Sequence, residues 1–155
     1  MTLTNVTTKS EITVVEQLTL GPGYTQSVTD TGSNTTQLKL TAISSSPVTK
    51  KSHFAQALTA GAADIDLLAL VDSQGATIAS TGLRVQAIKV QNPNANALVV
   101  TPAVTNGYGL TFTVPAQGEV LITSTDLLGE IGSSAHHLAL AGTLVQSSNW
   151  MIIMG

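Results

Sequence analysis

Cysteine is missing from this sequence of 155 residues, and charged residues are scarce. With 0 Cys, the chain forms no disulfide and offers neither a thiolate zinc site nor a cysteine nucleophile. Only 10% of its residues are Asp, Glu, Lys or Arg, against about 25% in an ordinary soluble domain. Because the formal net charge is only -3, repulsion between copies is weak. We therefore expect other subunits to cover much of the surface.

Basic and aromatic residues are too few and too scattered for nucleic-acid binding. The chain has 6 Lys and Arg residues, and aromatics make up 3%, whereas binding needs a basic patch and, for single strands, aromatic platforms. The N-terminal stretch "MTLTNVTTKSEITVVEQL" has no basic head and no continuous apolar run. We predict no nucleic-acid partner, no membrane partner and a mature protein that begins at or near Met1.

What the chain has in quantity is strand-forming sequence. Thr occurs 23 times and, with Val and Ile, gives a β-branched bias that favours sheets. Turn signals recur between short apolar runs, a spacing that predicts an all-β fold of about 8–10 short strands. We predict a single antiparallel β-sandwich domain over 1–155, jelly-roll-like, or a barrel, with at most a short helix near 124–131. Residues 1–10 form either an extended N-terminal arm or a frayed end.

Alternation of apolar and polar residues places individual strands. The change of phase within "LRVQAIKV" indicates a β-bulge or a strand covered on both faces. "NPNAN" at 92–96 is a loop, after which "ALVVTPAV" is expected to return as the partner strand. The other predicted strands are "ITVVEQLTL", which "GPG" at 21–23 ends, "TQLKLTAI", "LTFTVP" after the "NGYG" turn, "VLIT", "HHLALAGTLV" and "NWMIIMG". The stretch 58–72 fits either a short helix or a buried strand, and we favour a strand over Asp64–Val71 before a turn at 72–75.

Two adjacent histidines, His136 and His137, are the first candidates for metal binding. In a strand they would point to opposite faces, so they could not hold one ion together within a subunit. A site would need His53 or a carboxylate from elsewhere, or a ring of symmetry-related histidines around an oligomer axis. We predict exposed or interface histidines and no metal site.

Carboxylates give a second candidate, a calcium site. Asp64 and Asp66 share a strand face and Asp72 follows in a turn, but the spacing does not match a known calcium loop. We predict solvated carboxylates that keep one face of the strand wet.

Catalytic motifs are lacking. The sequence has no G-x-S-x-G elbow, no P-loop and no dinucleotide fingerprint, and its 9 acidic residues are scattered. We predict no catalytic residues, no cofactor and no enzymatic activity. "NVT" at Asn5 and "NTT" at Asn34 match the glycosylation pattern by coincidence. Trp150, Tyr24 and Tyr108 could stack on a sugar ring, but core or interface anchors are the simpler interpretation.

The segments "STGLRVQAIKVQNPNANALVV", "GYGLTFTVPAQGEVLI" and "HLALAGTLVQSSNWMIIMG" resemble small all-β virion proteins of tailed bacteriophages, most of all capsid decoration (cement) proteins. The resemblance covers roughly residues 64–155 and lies in short strands that are rich in Thr, Ala, Val and Asn and in a chain that ends in a strand. It implies a jelly-roll sandwich, commonly a homotrimer, that binds the major capsid protein on the capsid exterior after assembly in the host cytoplasm. The "NPNAN" loop and the N-terminal arm are the candidate contacts.

We therefore predict a virion structural protein that self-associates and stabilises the capsid. The alternative is a carbohydrate-binding or adhesive module of a phage fibre, spike or tail component.

Overall fold

The structure is a computed structural model that describes residues 49–123 and 128–155, together with the backbone of the strands within 10–21 and 24–34. Contacts divide the chain into two compact units, Asn5–Lys39 and the remainder. The predictions of one domain over 1–155 and of an arm at 1–10 stay predictions. The predicted strand "TQLKLTAI" lies outside the described residues.

The smaller unit contains one antiparallel hairpin of β1 (Ser10–Gly21) and β2 (Tyr24–Asn34). The first strand ends at Gly21, where the "GPG" signal predicted a stop. The pairing runs from Ser10 opposite Asn34 to Gly21 opposite Tyr24, with an irregularity between Thr19 and Gly21.

The described part of the larger unit is a sandwich of two four-stranded antiparallel sheets packed together. The first sheet contains, in spatial order, β3 (Lys50–Ala57), β10 (Ser147–Met154), β5 (Val85–Asn92) and β8 (Gly118–Thr123). The second contains, in spatial order, β4 (Ala62–Asp66), β9 (His137–Ala141), β6 (Leu98–Pro102) and β7 (Phe112–Val114).

The strand pairs are nested: β3 pairs with β10, β4 with β9, β5 with β8 and β6 with β7. The strands β3 to β10 thus fold as one long two-stranded ribbon whose turn lies between β6 and β7. Wrapping this ribbon across two sheets gives the strand order of a jelly roll. The predicted jelly-roll-like sandwich is confirmed, and the sheets do not close into a barrel.

The connections differ at the two ends of the sandwich. One end, the short-loop end, carries 58–61, 93–97, 115–117 and 142–146. The other, the long-loop end, carries 67–84, 103–111 and the connection before β9, of which 128–136 are described. Hydrogen bonds join loops within each end, such as Leu58 N to Gln146 O at 2.7 Å and Gly82 N to Ile131 O at 2.8 Å.

The core lies between the sheets, because alternate side chains of each strand point inward. Trp150, on the central strand β10, is fully buried, and its ring stacks on Phe54 with centroids 6.2 Å apart. Phe112, on the opposite sheet, lies 6.4 Å from the same ring. The indole N–H donates to Ser148 Oγ at 2.7 Å, so the polar atom of Trp150 is satisfied in the interior.

The phase change predicted near residue 87 is confirmed as a β-bulge. Ile153 pairs with Ala87, but Met154 pairs with Val85, so β5 has one extra residue at this point. Residues 85–88 are all buried, so this part of β5 is also covered on both faces.

Two strand predictions are wrong. The strand predicted to reach Val71 ends at Asp66, because the Asp66 carboxylate accepts the Leu68 N–H at 2.8 Å and closes a turn. The strand after "NPNAN" does not pair with the one before it. Instead β6 lies in the opposite sheet, between β9 and β7, because the loop crosses from sheet to sheet.

The remaining predictions agree with the structure where it describes them. Phe112 and Val114 contribute to the same core from β7, and the two closing strands are β9 and β10. Residues 128–131 are not helical, while 124–127 of the predicted short helix lie outside the described residues.

We predict that Trp150→Ala lowers the free energy of unfolding by about 3–5 kcal/mol, because it removes the largest buried side chain and leaves a cavity. Met151→Ala, at the next position on the half-exposed outer face, is the control and should change it by about 0.5 kcal/mol. Urea denaturation measures both values, and equal losses would contradict this description of the core.

Candidate functional site

The two histidines lie together at the start of β9. Their ring centroids are 4.2 Å apart, so the prediction that they point to opposite faces is wrong. The N–H groups of His136 and His137 both donate to the Asn106 carbonyl, at 2.8 and 2.9 Å. In a regular strand successive N–H groups point in opposite directions, so this shared acceptor shows that the backbone has not yet entered the pleat at His136.

A carboxylate completes a group of three side chains, which we call the histidine–aspartate cluster: Asp66, His136 and His137. Asp66 is directly opposite His137 in the β4–β9 pairing. One ligand atom from each of the three side chains lies within 4.8 Å of the others. The sequence left the carboxylate unidentified because only sheet pairing brings these distant positions together. His53 is exposed on β3 of the other sheet and takes no part.

The three aspartates of the predicted calcium candidate have separate roles. Asp64 and Asp66 share the outer face of β4, as predicted, and Asp64 Oδ2 lies 2.6 Å from His137 Nδ1. Asp72 lies in the predicted turn, where its Oδ1 accepts the N–H groups of Gln74 and Ala76 at 2.8 and 3.0 Å. These bonds hold the pKa of Asp72 below its usual value.

An open groove of about 300 Å³ runs between β3 and β4, the edge strands on one side of the sandwich. Asp64 and Asp66 line it together with apolar side chains, so the groove reaches the histidine–aspartate cluster. The lining residues are Ser52, Phe54, Gln56, Asp64, Ile65, Asp66, Ala69, Leu70 and Val71.

Two of the three aromatic residues considered for sugar stacking are core residues. Trp150 and Tyr108 are buried, and the side chain of Tyr24 lies outside the described residues. The Tyr108 hydroxyl donates to Gly129 O at 2.8 Å and accepts the Val85 N–H at 3.3 Å. Burial raises the pKa of Tyr108. Trp150 and Tyr108 therefore present no ring face to a ligand.

The "NPNAN" loop is held from beneath by buried amides. Asn92 Nδ2 donates to the carbonyls of Asn96 and Pro115 at 2.8 and 2.9 Å. Its Oδ1 accepts from Gln146 Nε2 at 3.0 Å, and both Asn92 and Gln146 are buried. These bonds tie 93–97 to 142–146 and fix the shape of the short-loop end.

Large apolar side chains project from that same end. Leu144 is 73% exposed and Val145 is 92% exposed; we call this pair the apolar tip. The loop that carries the tip is not loose, because Gly61 N donates to Leu144 O at 3.2 Å and Gly142 N donates to Gly61 O at 2.8 Å. A Cβ on Gly61 would lie 2.8 Å from Gly142 O, and Gly61 has a φ of +83°, so glycine is required there.

No family model, no curated protein and no solved structure matches this chain. In the part of the chain that the structure describes, no helix is long and apolar enough to cross a membrane.

We predict that Asn92→Ala lowers the free energy of unfolding by about 1–3 kcal/mol, because it leaves buried carbonyl and amide groups without their partner. Asn96→Ala is the matched control, since Asn96 is exposed and contributes its backbone carbonyl, which the substitution keeps. Thermal and urea unfolding compare the two variants. A larger loss for Asn96→Ala would contradict the buried amide network.

Proposed function

We propose that this chain is a non-enzymatic structural protein of a phage virion. It associates with copies of itself, as a homotrimer, and binds the major capsid protein on the capsid exterior after assembly in the host cytoplasm. The observation that carries the proposal is the apolar tip, Leu144 and Val145, presented on a hydrogen-bonded loop.

Exposure of two adjacent aliphatic side chains favours association. Full burial of a Leu or Val side chain contributes about 1.5–3 kcal/mol relative to exposure. The loop is already fixed by hydrogen bonds, so ordering it on contact costs little conformational entropy. A threefold axis through the short-loop end would gather three tips into one apolar cluster, which gives a closed assembly.

The outer face of the second sheet also suits contact with another surface. Away from the histidine–aspartate cluster and the neighbouring Asp64, its side chains are small and uncharged, so another backbone can approach this part of the face closely without a charge being desolvated. These outward positions are Ala62, Val99, Thr101, Thr113, Ala139 and Ala141.

Charges on the described surface are partly matched within the chain. Lys89 Nζ lies 3.0 Å from Glu119 Oε2, and Arg84 lies 3.3 Å from Glu130 Oε1. Hydrogen bonds from Gln91 and Lys89 lower the pKa of Glu119. Because these charges are paired within the chain, we expect contacts between copies to use mainly apolar and hydrogen-bonding groups, in agreement with the low charge of the sequence.

Jelly rolls occur in viral capsid proteins and in lectins, so the choice between the two candidate functions depends on the surface residues. For a sugar-binding module the aromatic platforms would be needed, and Trp150 and Tyr108 are in the core. The predicted contact at the "NPNAN" loop lies at the same end as the apolar tip.

We predict that the double substitution Leu144→Ser, Val145→Ser weakens self-association at least about tenfold, which corresponds to about 1.4 kcal/mol. Multi-angle light scattering over a concentration series measures the assembly. Val104→Ser is the matched control: Val104 is also fully exposed but lies at the long-loop end, and its loss should leave assembly unchanged.

Capsid binding is tested separately by co-sedimentation of the chain with phage capsids prepared without it, and by locating it in electron-microscopy maps of the particles. A chain that stays monomeric and does not bind these capsids would contradict the proposal.

A further inference from the structure

The histidine–aspartate cluster has no role in the proposed structural function. It joins two imidazoles and a carboxylate from three places in the chain: the end of β4, the start of β9 and the residue before β9. Two histidines and one carboxylate form a ligand set that zinc and related divalent transition metals accept.

The hydrogen bond of His136 leaves one of its nitrogens available. Nδ1 of this buried ring lies 2.8 Å from the carbonyl oxygen of Gly132. A carbonyl only accepts, so Nδ1 must carry the proton and donate. The lone pair of the neutral ring is then on Nε2, the form in which a histidine held by a backbone carbonyl binds a metal.

His137 supplies a second observation that points to a ligand. Its buried Nδ1 makes no well-formed hydrogen bond, and it contacts Asp64 Oδ2 at an ion-pair distance of 2.6 Å. The ring therefore lies beside two carboxylates, those of Asp64 and Asp66, with no hydrogen bond at Nδ1 to satisfy this nitrogen. A cation beside this ring would also attract the carboxylates of Asp64 and Asp66.

Asp66 retains an acceptor after closing its turn. Its Oδ1 accepts the Leu68 N–H at 2.8 Å, which fixes the side chain and leaves Oδ2 for another partner. The carboxylate also lines the groove between β3 and β4, which gives an ion an entry path.

The separation of the three side chains is close to what a metal requires. Ligand atoms bound tetrahedrally at about 2.0–2.1 Å lie about 3.3 Å apart, and those of the cluster lie within 4.8 Å of one another. Asp66 and His137 already occupy opposed positions on paired strands, so ion binding would require rotation of side chains to close the remaining distance and no change in strand pairing.

We propose that Asp66, His136 and His137 bind one Zn²⁺ ion. This departs from the sequence-based prediction of no metal site, which assumed that the histidines diverge. The ion joins β4, β9 and the connection that precedes β9, so it fastens the long-loop end. With three protein ligands, one position of a tetrahedral site remains for water.

The test uses the full chain, prepared without a histidine tag and freed of metal, titrated with Zn²⁺ by isothermal calorimetry. Asp66→Asn keeps an oxygen to accept the Leu68 N–H while removing the carboxylate charge, and His137→Gln removes the half-buried imidazole. Their matched controls are Asp72→Asn, at a turn of the same kind, and His53→Gln, on the other sheet.

We expect one Zn²⁺ per wild-type chain, a Tm that rises with Zn²⁺ concentration and a loss of affinity of at least about tenfold in Asp66→Asn and His137→Gln. The two controls should bind as the wild type does. No binding by the wild type, or affinity that survives both cluster substitutions, would overturn the proposal.

A measurement on the unsubstituted protein guards against variants that fail to fold. The imidazole ¹⁵N resonances of His136 and His137 should shift on addition of Zn²⁺, while those of His53 stay in place. Shifts confined to His53, or none at all, would reject the site.

Discussion

The contact of Trp150 with Phe54 on its own sheet and Phe112 on the facing sheet brings the two layers of the sandwich together. Because the chain has 3% aromatic residues and no disulfide, aliphatic side chains fill most of the remaining core around the Trp150 ring. The indole of Trp150 belongs to β10, which lies between β3 and β5 in the centre of the first sheet, so this contact anchors a central strand. Everything at the two ends is positioned by strands that this core holds in register.

The short-loop end shows how a polar sequence can make a rigid apolar feature. Buried amides of Asn92 and Gln146 satisfy loop carbonyls that would otherwise need water. The apolar tip is therefore displayed on a fixed base, which distinguishes it from a loose loop whose ordering would oppose association. Because charge is scarce, the self-association that we propose for this end would depend on apolar contact, with little electrostatic steering.

The long-loop end has a different chemistry. There the cross-strand pairing of β4 with β9 sets a carboxylate opposite a histidine, and the bent backbone before β9 brings a second imidazole beside it. A metal at this end and apolar contacts at the other are compatible, because the two features lie at opposite ends of the strands. The proposed structural role and the proposed ion site therefore depend on different residues at different ends of the sandwich.

The sequence by itself determined the all-β class, the turns at "GPG", 72–75 and "NGYG", and the irregularity in β5, because these follow from residue preferences and alternation over a few positions. Only the tertiary structure decided that β6 lies in the opposite sheet from β5. The loop between them crosses from one sheet to the other, and β6 joins the second sheet because it pairs there with β7 and β9. The tertiary structure also decided that Asp66 lies beside His136 and His137 and that Tyr108 and Trp150 are buried. The physical reason is that pairing between distant strands and closure of the core are cooperative, and no local pattern records which remote residue will be opposite which.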